Sequence, residues 1–283
     1  MTIERTGFAR PAMTAIADAK NVFTFVWRHP ANDGARMRAL FRALHFQASG
    51  RVLHRRTLAR LGQRSRLWAD LHRTGASRVV YGNPPDHPEM LVWQQVLGPG
   101  DLFVDVGANV GSYSIWAAEL GADVIALEPA EDSFALLEEN VALNDYPITA
   151  IQAAAGAAAG TARFTSGLDC VNRLHPDGDT EVRMVTIDSV VGDRVVTGMK
   201  VDVEGFEVEV LCGSERALSE QRIRLIQLEW NAGSLSSLGY DRGPVAERLA
   251  KHGYSLYRPD REGVLIPLDD VSFGPDVFAA PAG

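Results

Sequence analysis

From Leu102 to Leu228 the chain alternates short apolar runs with helix-length amphipathic segments, and this rhythm constrains the fold more than any other feature. Leu102–Val106, Asp123–Leu127, Ile148–Gln152, Met199–Val203 and Ile223–Leu228 read as strands, and Ser112–Leu120, Ser133–Asn144 and Phe206–Leu218 as helices. Parallel neighbours need a long crossover and a helix supplies one, so the pattern predicts an α/β protein built on a parallel sheet. Ala162–Thr165 and Val182–Thr186 read as further short strands, Val245–His252 as a helix, and Tyr254–Tyr257 with Val264–Leu268 as strands that close the sheet.

The turn after the first strand carries the first chemical signal. Asp105-Val106-Gly107-Ala108-Asn109-Val110-Gly111 follows a strand and opens a helix. Glycines there let the backbone approach a ligand, and the unpaired N–H groups of a helix start face it. Glu128, at the end of the next strand, is placed to accept both hydroxyls of a ribose. A dinucleotide fingerprint needs glycines where Asn109 and Ser112 stand, and an acidic Asp105 repels a pyrophosphate, so a nucleoside with a cationic group fits better.

Several motifs in fixed order resemble one family. Val104-Asp105-Val106-Gly107-Ala108-Asn109-Val110-Gly111, Glu128-Pro129, Asn140, Asn144, Thr186-Ile187-Asp188-Ser189, Lys200-Val201-Asp202-Val203-Glu204-Gly205-Phe206-Glu207 and Glu229 resemble the FkbM family of S-adenosylmethionine-dependent methyltransferases. The resemblance covers residues 95–231 and implies a class I methyltransferase (Rossmann-like) doubly wound sheet, mostly parallel with a final antiparallel strand. It further implies S-adenosyl-L-methionine as cofactor and O-methylation of a sugar, glycan or related metabolite, with polyketide or peptide acceptors as the alternative. The implied cofactor residues are Asp105, Val106, Gly107, Ala108, Asn109, Gly111, Ser112, Tyr113, Glu128, Pro129, Ala154 and Asp202. The Ala155–Ala159 stretch departs from the polar or acidic residues usual there.

Methyl transfer from a sulfonium is an in-line displacement, so alignment of the acceptor oxygen matters most and a base takes its proton as the bond forms. Strand ends are where such groups gather in open α/β sheets. Asp202 and Glu204 alternate at the end of one strand, on one side, with Val201 and Val203 directed oppositely; either carboxylate serves as base. Lys200 shares their face, which allows a plain ion pair with Asp202. Two carboxylates and waters can hold Mg²⁺, but no third ligand is evident and a metal is not favoured. His175 is a further candidate base in the loop after Asn172, or a solvated loop histidine. Glu229, Trp230 and Asn231 end another strand: a carboxylate for catalysis, then a ring and an amide that, with Asn172, suit a sugar.

The charge is divided. Residues 1–80 hold 15 Lys and Arg against 4 Asp and Glu, leaving 13 against 32 for the remainder. Apolar residues recur at helical intervals before Arg73, as in Met37, Leu40, Phe41 and Leu44, then Leu53, Leu58, Leu61, Leu67 and Leu71, and predict two or three Arg-rich helices. The proline-rich Tyr81–Pro88 ends them, giving an extension over 1–80 and a methyltransferase domain over 81–283. The basic helices suggest packing on the acidic domain, a homodimer or peripheral membrane contact; a nucleic-acid-directed enzyme is the less favoured reading because the catalytic part is acidic. Two cysteines, Cys170 and Cys212, form no metal or disulfide pattern, and neither a secretory leader nor a membrane span is evident, so a cytoplasmic enzyme is expected.

Overall fold

The computed structural model describes residues 12–71, 74–165, 174, 177–230, 242–268, 270–271 and 273–282. Its main sheet has eight strands. Taking β1 and β2 for the hairpin described below, the sheet contains β3 Leu102–Val106, β4 Asp123–Leu127, β5 Ile148–Ile151, β9 Val196–Val201, β10 Ile223–Leu228, β11 Tyr254–Pro259, β12 Leu265–Pro267 and β13 Val277–Pro281, in the order β12-β11-β13-β10-β9-β3-β4-β5. Strands β5, β4, β3, β9 and β10 are parallel, whereas β13 runs antiparallel between β10 and β11. This is the class I methyltransferase sheet that the motifs imply, with its late antiparallel strand. Every residue of β3 is buried, as a central strand covered on both faces must be.

Helices α4 His87–Val96 and α5 Ser112–Glu119 cover one face. Gly198 in β9 makes this close: a Cβ there would lie 2.5 Å from Trp93 of α4, whose fully buried ring packs edge-on to Phe103. Helix α6 Glu131–Ala142 flanks β4 and β5. On the other face lie α7 Ile187–Val191 and the segment expected as one helix, which is two: α8 Glu207–Cys212 and α9 Glu215–Ser219. They part at Gly213, where a Cβ would sit 2.1 Å from the carbonyl oxygen of Gly156. A small second sheet, β6 Ala154–Ala155, β7 Gly160–Phe164 and β8 Thr180–Val185 in the order β6-β8-β7, stands beside the ends of the main strands.

The basic N-terminal region differs from the all-helical expectation. Helices α1 Ala12–Arg28, α2 Arg36–Leu53 and α3 Thr74–Tyr81 form, but between them β1 Thr57–Leu61 and β2 Ser65–Ala69 make an antiparallel hairpin. Ala59 and Leu61, then Ser65, Leu67 and Ala69, point inward at every second position, so the three-to-four spacing of the leucines coincides with a period of two. Gly62 turns at φ +64°, and the Asn83 side chain donates to its carbonyl and accepts from its N–H. Helix α2 also faces otherwise than Met37, Phe41 and Leu44 suggest. Its buried side is Ala39, Ala43, Phe46 and Gly50: Phe46 fills the core while the alanines and the glycine let the helix lie close, with a Cβ on Gly50 falling 2.8 Å from Leu71.

These elements share one apolar core with the sheet: Val26, Phe46, Leu61, Leu67 and Val80 cluster with Trp93, Phe103, Ile115 and Phe278. Polar clasps reinforce it. The Glu119 carboxylate accepts from the backbone N–H of Gln63, Arg64 and Ser65, which holds the hairpin turn. Asn140 and Asn144, one helical turn apart on α6 and just beyond its end, accept from Trp68 and Arg66 backbone N–H groups along β2. The side chain of Asn140 also donates to the Val110 carbonyl.

Candidate active site

The loop between β3 and α5 is folded tightly enough to demand its glycines. Gly107, Asn109 and Gly111 all have positive φ, and a Cβ on Gly107 would stand 1.9 Å from the Asp202 carbonyl oxygen. The N–H groups of Gly107 and Ala108 both donate to the carbonyl of Leu127. Glu128, at the end of β4, is gripped by the loop: Oε2 accepts from Asn109 N–H at 2.8 Å and Oε1 from Ala130 N–H at 2.9 Å. Burial pushes its carboxyl up to about 7; the two amides pull the other way, and Asp105 and Asp202 add to the rise.

Asp105 lies beneath the loop, buried, its Oδ2 accepting from Ser114 Oγ at 2.6 Å. Its Oδ1 and the Oγ of Ser112 are buried without a hydrogen-bond partner among the described residues, although both side chains border the same space. Burial raises the Asp105 carboxyl, against the lowering influence of Lys200.

The end of β9 supplies the opposite wall. Lys200 is buried and donates from Nζ to Asp202 Oδ2 at 2.7 Å, with Nζ 4.7 Å from the centre of the Tyr113 ring. Burial works against its charge, but Asp202 and Asp105 outweigh that and hold the ammonium protonated. The ion pair anticipated from spacing is therefore present. Beyond Val201 the strand stops, and Glu204 and Gly205 at φ +51° and +100° turn the chain, so Val203 borders the cavity together with Asp202 and Glu204 instead of pointing away. Carboxylate oxygens of Asp202, Glu204 and Glu229 lie within 4.8 Å of one another. Glu229 is the third carboxylate that sequence spacing did not reveal as a companion. Burial first, then Asp202, Glu204, Glu207 and Asp276, push its carboxyl to about 9.

Behind this wall, Gln227 accepts from Trp93 Nε1 at 2.6 Å and donates to Asp276 Oδ2 at 2.8 Å and Tyr113 Oη at 3.1 Å. The network fixes the Tyr113 ring under Lys200.

The walls enclose about 340 Å³ at the carboxyl ends of β3, β4, β9 and β10. Ala153, Ala154, Ala155, Phe164 and Leu174 make part of the lining apolar, and Asp105, Glu128, Asp202, Glu204 and Glu229 bring carboxylates to it. The N-terminal region adds Arg78, Pro85 and Asp86, with Arg78 Nη1 3.3 Å from Asp86 Oδ1.

Residues 105–256 match the family model described as the methyltransferase FkbM domain, more than half of the chain. The chain belongs to the FkbM methyltransferase family. Among its FkbM-type relatives, the hexuronic acid methyltransferase AglP of Haloferax volcanii is 32% identical over 141 residues, covering 47% of this chain and 57% of that protein. The 31-O-demethyl-FK506 methyltransferase FkbM of Streptomyces tacrolimicus is 27% identical over 200 residues, covering 56% and 75%. The chain thus spans under two thirds of the length of AglP. Among solved structures, a precorrin-6y C5,15-methyltransferase from Geobacter metallireducens aligns with TM-score 0.41 at 15% identity, covering 69% of this chain and 86% of that one.

Within the FkbM frame, the cavity collects Asp105, Val106, Gly107, Ala108, Asn109, Ser112, Tyr113, Glu128, Pro129, Ala154, Asp202, Glu204 and Glu229. Gly111 does not border it; it caps α5 at φ +90° and shapes the loop. Trp230 is a correction: its ring is fully buried, donates from Nε1 to the Val271 carbonyl and lies 5.5 Å from the Arg242 guanidinium, which leaves no face for a sugar. Asn172, His175 and Asn231 lie outside the described residues. Missed from sequence were Arg78 and Asp86, which the proline-rich turn brings to the cavity, and Phe206, which stands on its wall. Lys200 was visible through its two-residue spacing from Asp202.

Proposed function

We propose that this chain is an S-adenosylmethionine-dependent O-methyltransferase whose acceptor is a sugar hydroxyl. The observation that carries this reading is the continuity of one cavity from the Glu128 clasp and glycine loop to the Asp202, Glu204 and Glu229 carboxylates. The residues present fit the cofactor. Glu128, fixed by two amides, keeps lone pairs for the ribose hydroxyls. The partnerless Asp105 Oδ1 and Ser112 Oγ suit an ammonium, and the alanine-lined part suits an adenine ring. When bound, the cofactor supplies a methyl group on a cationic sulfur. A divalent metal is not part of the proposal, because the Lys200 ammonium already meets the Asp202 carboxylate.

The protein's part is to orient the acceptor oxygen, exclude water and take one proton. At neutral pH Glu229 holds a proton of its own. One of Asp202 and Glu204 therefore accepts the hydroxyl proton as the new C–O bond forms, with Lys200 keeping Asp202 in place. A sugar acceptor is supported by the name of AglP, and O-methylation by that of the Streptomyces relative. Arg78, a cation at the cavity wall whose guanidinium meets Asp86 on one side, suits with its remaining N–H groups the carboxylate of an acidic sugar.

Calorimetric titration with S-adenosylhomocysteine tests the cofactor assignment: Glu128→Ala and Asp105→Ala should each weaken binding at least about tenfold. Asp202→Asn and Glu204→Gln should lower kcat roughly 100-fold or more in one or both, with Glu204→Gln leaving S-adenosylhomocysteine binding intact. Wild-type affinity in both cofactor-site variants would overturn the cofactor assignment, and full activity in both carboxylate variants would remove the base.

A further inference from the structure

Helix α2 is apolar on two opposite sides. One is buried, and the other, Met37, Phe41, Leu44 and Val52, points outward with 60%, 67%, 65% and 75% exposure. At 100° per residue these four fall within one narrow arc, along which Ala48 also lies exposed. On α1, Phe23 and Trp27 are also exposed, their rings stacked 5.7 Å apart, and the Arg36 guanidinium at the start of α2 sits 5.5 Å from the Trp27 ring centre. Trp27 of α1 thus lies beside the first turn of α2, where Met37 begins the outer stripe.

The rims of the stripe are cationic. Arg38 flanks one side and Arg51 the other, and between Gly34 and Ala69 the chain has nine arginines and no Asp or Glu. Contiguous exposed apolar side chains mark a contact surface. We propose that this face of α1 and α2 seats on an anionic lipid surface, with Phe23, Trp27, Met37, Phe41 and Leu44 entering the headgroup boundary and the arginines meeting phosphates. Charge complementarity selects this occupant over a second copy, because packing α2 on its own two-fold mate brings arginine rims against each other without one carboxylate between them. The rings of Trp27 and Phe23 suit the same boundary. No described helix is long and apolar enough to cross a membrane, so the contact lies in the interface plane.

The placement has a bearing on the cavity. Arg42 Nε donates to the Val80 carbonyl, which locks α2 onto α3, and α3 carries Arg78 of the cavity wall. A surface seated on α2 is separated from the site by α2 and α3, and the cavity wall at Arg78 is tied to it through them.

The full chain is sedimented with vesicles of phosphatidylcholine alone or mixed with phosphatidylglycerol. Binding is expected only to the mixed vesicles and is expected to weaken as salt rises. Arg38→Gln with Arg51→Gln should lower the partition coefficient about tenfold or more, at roughly fivefold per arginine. Phe41→Ser with Leu44→Ser should do the same at unchanged salt response. Because these side chains are exposed, unchanged melting temperature and S-adenosylhomocysteine affinity verify the variants. Absence of binding to anionic vesicles, or binding insensitive to both pairs of substitutions, overturns the proposal. A wild-type dimer by light scattering that Phe41→Ser/Leu44→Ser converts to monomer also overturns it and assigns the stripe to a second copy.

Discussion

Replacing Gly107 by alanine should damage the protein through a measurable distance. The added Cβ would stand 1.9 Å from the Asp202 carbonyl oxygen, where contacts shorter than 3.0 Å are not sustained, so the two strand ends must part by more than 1 Å. The positive φ of +80° costs an alanine about 1–2 kcal/mol on its own. Parting the ends also disturbs the hydrogen bond from Asp202 N–H to the Val106 carbonyl, about 1 kcal/mol more. The sum is roughly 3 kcal/mol, and at about 2–4 °C per kcal/mol the melting temperature should fall by about 6–12 °C. Gly100 supplies the control: it has φ +89° and nothing within 4 Å of the place its Cβ would take, so Gly100→Ala carries the backbone strain without the collision. Differential scanning calorimetry and titration with S-adenosylhomocysteine on both variants separate the two effects. Gly107→Ala should lose at least tenfold in affinity and Gly100→Ala none. Equal stability losses in the two variants with wild-type binding would refute the reasoning, since the close approach would then not be what demands glycine.

Other outcomes follow from the buried carboxyls. Glu89 and Glu128 at about 7, Asp276 at about 6 and Glu229 at about 9 all lie above their ordinary range, chiefly through burial. The folded chain therefore keeps protons that the unfolded chain has released above pH of about 4.5, and stability should decline as pH rises from there toward 9. Melting curves without ligand should show this decline, and Glu229→Gln should flatten its last part, between about pH 7 and 9; a flat wild-type profile sinks the assignment. Asn140→Ala strands the Trp68 N–H and the Val110 carbonyl, each costing about 1–3 kcal/mol, and should open residues 57–69 to limited proteolysis. If Arg78 faces an acceptor carboxylate, Arg78→Gln raises KM for an acidic sugar at least tenfold and leaves S-adenosylhomocysteine affinity unchanged; loss of that affinity instead assigns Arg78 to the cofactor.

What sequence reading could see depended on how far each pattern's cause lies along the chain. The strand Asp123–Leu127 follows from its own apolar run and the glycines of the loop from Asp105 to Gly111 mark a tight turn, so both were legible, although what demands glycine at 107 is the Asp202 carbonyl far along the chain. The stretch after Leu53 misled because its leucines satisfy a helical spacing, while what decides the matter, a ladder of Thr57 to Leu61 on Ser65 to Ala69 clasped by Asn140 and Asn144, is long-range. Strand β13 went unseen for the same reason: only its insertion between β10 and β11 makes it a strand. At the site, the motif carboxylates were legible, but the approach of Glu229 to Asp202 depends on the crossover through α8 and α9 that lays β10 beside β9, and Arg78 arrives through packing of a region with no family motif. Trp230 was misjudged because one residue past Glu229 the chain passes from cavity rim to core.

The amide of Asn140 is directional, and its two neighbours use that direction. Its oxygen faces a donor in the hairpin, the Trp68 N–H, and its nitrogen faces an acceptor in the cofactor loop, the Val110 carbonyl. An aspartate of the same size would turn one of these contacts into a meeting of two oxygens, and a leucine would serve neither. A single side chain thus imposes one polarity on the seam, so the hairpin cannot be exchanged for a segment that presents a carbonyl at that point unless the loop is rebuilt with it.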